Sequence, residues 1–126
     1  MAREYHIEAG GVQYRGNTAS AKNQFEALHI GMRTGVVAHL KGEPSEMTLA
    51  AMLGYIDYDD LQKLVSLLVK ENVVRDDDSV PVDANLFGDN IQDYYLLIGL
   101  VIKENLSPFW KLRRPSEGKA PEKQTA

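Results

Sequence analysis

Apolar and polar residues alternate near the start of the chain. Tyr5, Ile7, Val12 and Tyr14 are each flanked by polar or small neighbours, on either side of Gly10-Gly11. Alternation around a glycine pair predicts a β-hairpin. A lone hairpin is marginal in water, so it must pack on something else. From residue 20 the period changes. Ser20 suits an N-cap, and Phe25, Leu28, Met32, Val36 and Leu40 recur every three or four residues. This predicts one helix of about five turns with a single apolar stripe facing the core. Gly31 and Gly35 fall inside it, each costing about 1 kcal/mol against Ala. Close helix packing is the expected reason for them, with a functional bend as the alternative.

Gly42 and Pro44 end that helix. Ser45 caps a short second helix with Met47, Leu49, Ala50, Met52 and Leu53 apolar, closed by Gly54. Asp57 caps a third, with Asp59 and Asp60 in the first turn, where the helix dipole favours carboxylates. Its stripe is Leu61, Leu64, Val65, Leu68 and Val69. Asp76 to Ser79 read as a solvated acidic break, and Val80-Pro81-Val82 as an extended connector. Asp89 is the expected cap of a fourth helix with a wide apolar face (Ile91, Tyr94, Tyr95, Leu97, Ile98, Val101, Ile102, Leu106), ended by Ser107-Pro108. The fold expected is mainly α: about four helices in one bundle-like domain with a small N-terminal β-hairpin. Residues 1–17 form the hairpin, 18–112 the helical domain and 113–126 a flexible, disordered tail, since nothing from Arg114 onward is both large and apolar.

Composition narrows the function. The 126 residues suffice for one domain. The net charge is -4, whereas nucleic-acid binders usually carry a basic face; Lys111, Arg113 and Arg114 form the one compact basic cluster. With no cysteine, disulfides and thiolate chemistry are excluded. MAREYHIEAGG has no apolar run of the secretory kind, and the stretch from Leu96 to Ile102 is too short to span a bilayer. The expectation is a soluble, unexported protein that does not meet a membrane.

Catalytic chemistry is hard to find. His29 and His39 would share a helix but sit nearly three turns apart, and no zinc spacing includes His6. Asp83, Asn85 and Gly88 match part of a calcium loop, but Tyr94 stands where the bidentate Glu belongs. No phosphate loop, nucleophile elbow or dinucleotide fingerprint occurs. Neither a catalytic residue nor a cofactor or metal site is assigned, and a non-enzymatic binding protein is expected.

A local rival is a winged helix-turn-helix over residues 47–75, with the helix after Asp57 as the DNA reader. Asp57, Asp59 and Asp60 at its start oppose phosphate, and Lys63 and Lys70 do not compensate.

Three blocks carry a wider likeness: VQYRGNTASAKNQFEALHIGM (12–32), the Asp57-Tyr58-Asp59-Asp60 centre between short helices, and NLFGDNIQDYYLLIGLVIKENLSPFW (85–110). Together they resemble a tail assembly chaperone of a long-tailed bacteriophage or prophage, over about Tyr5 to Trp110. The resemblance implies a protein of the host bacterial cytoplasm, absent from the mature virion. It would bind the tape-measure protein, keep its apolar helical segments soluble and help recruit major tail (tube) subunits. A frameshifted longer form of the chain is a further implied partner, and an oligomer is compatible with it. Such a role needs adaptable apolar surface: Met32, Met47 and Met52 are candidate groove lining, and Tyr94, Tyr95, Phe109 and Trp110 candidate anchors. Each could equally be core packing. A structural tail or head-completion subunit is the alternative outside the chaperone class.

Overall fold

The computed structural model describes residues 2–110. Strands β1 (Glu4–Ala9) and β2 (Val12–Asn17) form the expected hairpin. Its turn is Gly10-Gly11, both at positive φ (60° and 81°), the twist that a two-residue hairpin loop requires. Tyr5, Ile7, Ala9 and Tyr14 face the core. Val12 shares that face but lies beside the turn and stays partly exposed. Gly16 is needed under Tyr5, because a Cβ there would come within 2.7 Å of the ring.

A third strand, β3 (Val73–Arg75), pairs antiparallel with β2 and gives the order β1-β2-β3. Three residues are too few for alternation to show, so this strand is visible only in its pairing. The connector at 80–82 then folds back along β3: Arg75 donates its N–H to the Val80 carbonyl (2.8 Å) and Val82 donates to Val73 (3.1 Å). The acidic break beside it is not simply solvated. Arg15 donates to the Asp76 carboxylate (2.9 Å) and to Ser79 Oγ (2.6 Å), and Arg75 grips Asp78.

The expected five-turn helix is divided in two, α1 (Ala21–Thr34) and α2 (Val36–Lys41), by Gly35 at φ 88°. Gly35 is therefore the bend, and Gly31 the close approach: a Cβ on Gly31 would sit 2.8 Å from a Val37 methyl. The stripe is corrected accordingly. The face of α1 that is buried carries Ala27, Ile30 and Gly31, while Phe25 and Met32 are 69% and 56% exposed. The left-handed turn redirects the chain, and Val36, Val37 and Leu40 enter the core.

Helix α3 (Glu46–Tyr55) is capped by Ser45 Oγ, which accepts from the Thr48 N–H at 3.2 Å. Gly54 lies inside its last turn rather than closing it. Helix α4 (Tyr58–Leu64) is capped by Asp57 and passes into one wide turn, Val65–Val69, where the Lys70 N–H reaches back five residues to the Val65 carbonyl (3.0 Å). Leu61, Leu64, Leu68 and Val69 are buried as expected, with Leu67 added.

Helix α5 (Ile91–Trp110) is central: Leu97, Ile98, Val101 and Ile102 have no accessible surface. It starts after Asn90, whose carbonyl accepts from Asp93 and Tyr94, not directly after Asp89. Nor does it stop at Ser107: Pro108 lies inside the helix. Proline removes the N–H that would bond the carbonyl of Glu104, and the Arg3 guanidinium replaces it, donating to that oxygen at 2.6 Å. Asn105 is buried in the same region. Its side chain accepts from the Ala19 N–H (2.8 Å) and donates to the Val101 carbonyl (2.9 Å), tying the hairpin exit to α5. The tail expected for 113–126, and Lys111, Arg113 and Arg114, lie outside the described residues.

Candidate partner-binding surface

Beyond Glu46 and Thr48 in its first turn, helix α3 is apolar on both sides, as a buried helix would be, yet only one side of it meets the core. Leu49, Met52 and Leu53 point inward. Gly99 on α5 makes the approach close, since a Cβ there would come within 2.6 Å of Leu49 Cγ. The other side carries Met47, Ala51 and Tyr55 at four-residue intervals. Met47 is 81% and Tyr55 89% exposed, and Tyr58 extends the exposed surface past the break at Ile56-Asp57. Met47 and Tyr55, two turns apart on one helix with Ala51 between them, make this side of α3 a candidate interaction surface.

Two grooves flank this ridge. Between α3 and α5 lies one of about 400 Å³, floored by Met47, Ala50, Ala51, Gly54, Tyr95 and Leu96, with Glu46, Gln92 and Asp93 at its edge. On the far side lies one of about 590 Å³, where Met52, Tyr55 and Ile56 meet the polar groups of Arg33, His39, Asp57 and Asp60. Its wall is set by a two-pronged ion pair: Arg33 donates to both Asp60 oxygens, at 3.1 and 2.9 Å. That hydrogen bonding holds the Asp60 carboxyl below its ordinary value and raises the Arg33 guanidinium. The pair also ties α1 to the start of α4, while Asp57 and Asp59 stay exposed there.

The seven residues singled out from the sequence do not form one site. Met47 and Tyr95 line the apolar groove together. Met52 reaches the second groove but is itself buried. Met32 belongs to a separate exposed face of α1 with Phe25, whose ring packs edge-on against His29 at 5.9 Å between centroids. Tyr94 is turned into an aromatic group with Phe87 (5.0 Å), which stacks on Tyr14 (6.0 Å); burial raises its phenol above the usual range, with Asp83 adding to the shift. At the end of α5, Phe109 is 49% exposed and Trp110 rests partly buried against the core.

Tyr55, Tyr58, Ala51 and Gly54 were missed by sequence reasoning. The signal was present: Met47, Ala51 and Tyr55 are four apart and apolar. What hid it is that both sides of α3 are apolar, so periodicity could not say which faced solvent.

Among the described residues, no His, Asp and Glu side chains cluster as a metal site and no helix is long and apolar enough to cross a membrane. No curated protein and no solved structure matches the chain. A family model does, across residues 10–117, from the hairpin turn past the end of the described α5, and the chain therefore belongs to the phage tail assembly chaperone protein family, TAC.

Proposed function

We propose that this chaperone binds the tape-measure protein in the host bacterial cytoplasm, keeps its apolar helical segments soluble and helps recruit tail-tube subunits. It does this without catalysing a reaction and departs before the virion is complete. The observation that carries the reading is the outward ridge of α3, Met47-Ala51-Tyr55, with a groove on each side. A client helix is read by contacts at i, i+3 and i+4, methionine adapts to irregular partners, and aromatic anchors dominate such interfaces.

The test is capture from the host during phage growth or prophage induction, with the chain tagged at its N-terminus. Recovery of a very long, helix-rich tail protein, with or without tube subunits, is the expected result. Peptides of a frameshifted longer form would be sought in the same sample. Mass spectrometry of purified virions is the second arm: the chain at stoichiometric levels there would make it a structural subunit and end the chaperone reading.

A further inference from the structure

We infer that the groove between α3 and α5 receives one amphipathic helix of a partner protein, apolar on its buried face and carrying Lys or Arg on its flanks. This deepens the chaperone reading and rests on it for the partner's identity. The floor is built from small side chains, Ala50, Ala51 and Gly54, between Met47 and the Tyr95 ring. Tyr95 lies close over Gly54, with its edge 3.9 Å from where a Cβ would stand. Small residues let a second helix backbone approach, and the larger pair at the sides supplies contact area. The rim is acidic. Glu46 borders the groove exposed and Asp93 borders it with its carboxyl set against the Gly10 turn; no Lys or Arg lines it, and neither carboxylate forms an ion pair among the described residues.

Charge selects among the occupants. Residues 2–110 carry sixteen Asp and Glu against nine Lys and Arg, so the body attracts cationic partners. A second copy docking by a two-fold axis would bring the same carboxylates face to face. The chain's own residues 111–126 are basic, with Lys111, Arg113, Arg114, Lys119 and Lys123 against Glu117 and Glu122. That segment matches the rim but not the floor, because Leu112 is its one large apolar residue. A partner helix with both an apolar face and cationic flanks satisfies the two together.

The experiment uses the full chain, the exposed-site variant Ala51→Glu and the charge-neutral Glu46→Gln/Asp93→Asn, with thermal unfolding as the folding control. Labelled peptides of about 20 residues, enough for a helix of ~30 Å, are titrated by fluorescence anisotropy. One set tiles the tape-measure protein encoded with this chain. The other is a designed Leu/Ala helix with Lys flanks and its twin with Glu flanks. Expected are binding of the Lys-flanked helix and of cationic amphipathic tape-measure segments, a loss of about tenfold or more with Ala51→Glu, and a weaker, less salt-dependent interaction with the neutral variant. Tape-measure segments that bind Ala51→Glu as well as the unaltered chain would overturn the groove and leave the chaperone reading standing. The Lys-flanked helix bound in an Ala51-dependent way, with no tape-measure segment bound, would keep the groove and remove that partner. Equal binding of the Lys and Glu twins overturns the charge assignment. A dimer dissolved by Ala51→Glu, or displacement of the probes by a peptide of residues 111–126, reassigns the groove to those occupants.

Discussion

The guanidinium of Arg3 donates to the main-chain carbonyl of Glu104 at 2.6 Å and to its carboxylate at 3.2 Å. That carbonyl is the one Pro108 cannot serve, so a residue at the start of the chain completes the ladder of the helix at its far end. Proline inside a helix both removes a hydrogen bond and crowds the preceding turn. Pro108→Ala should therefore raise stability by about 1–3 kcal/mol. Arg3→Ala should cost about 1 kcal/mol in the unaltered chain and close to nothing in the Pro108→Ala background, where the backbone supplies the missing N–H. Urea unfolding of the two single variants and the double variant measures this coupling; equal effects of Arg3→Ala in both backgrounds would refute it.

Asn105 is the buried polar residue on which the hairpin depends. Its side-chain oxygen accepts from Ala19 at 2.8 Å and from Gln24 at 3.3 Å. Asn105→Leu would leave the Ala19 N–H buried without a partner, at a cost of about 1–3 kcal/mol. Hydrogen exchange would show where the loss falls: the amides of α1's first turn and of β1 should lose protection before those of α3.

Three glycines should respond differently to alanine. Gly99→Ala drives a methyl into Leu49 and should cost about 1–3 kcal/mol by overpacking. Gly35→Ala meets no neighbour, as nothing lies within 4 Å, but its φ of 88° is strained for any side chain. It should cost about 1 kcal/mol. Gly42→Ala, at φ −82° with only the His39 carbonyl at 3.4 Å, should fall within about 0.5 kcal/mol of the unaltered chain. Thermal melts of the three variants rank them.

The Arg33–Asp60 pair gives stability a pH dependence of definite sign. Hydrogen bonding from Arg33 holds the Asp60 carboxyl below its ordinary value of 3.8, and Arg75 does the same for Asp78. A carboxyl lowered on folding adds stability that is fully present above its unfolded value and is lost as pH falls through its folded value. The urea midpoint should hold at neutral pH and decline below about pH 4. Asp60→Asn should lower the midpoint at pH 7 and flatten part of the acid decline. An unchanged slope would mean the pair contributes nothing.

Local signals in the sequence were enough to place the hairpin at Gly10-Gly11, the caps at Ser20, Ser45 and Asp57, the buried stripe of Leu61, Leu64 and Leu68, and the central position of the last helix. Each follows from neighbouring residues alone: a turn that needs positive φ, a side-chain oxygen that meets free N–H groups, or a period of 3.6. The apolar blocks also carried the family likeness. Tertiary structure decided what depends on distant partners. It chose which side of α1 and α3 is buried, because Ala27, Gly31 and Gly99 permit close approach only where another helix lies opposite. It kept α5 helical through Pro108, because Arg3, over a hundred positions away, takes the role of the lost amide. And it set Tyr55 and Met47 outside while packing Tyr94, partly buried, against Phe87, since residue type states a preference for burial and the packed chain determines which apolar side chains find room.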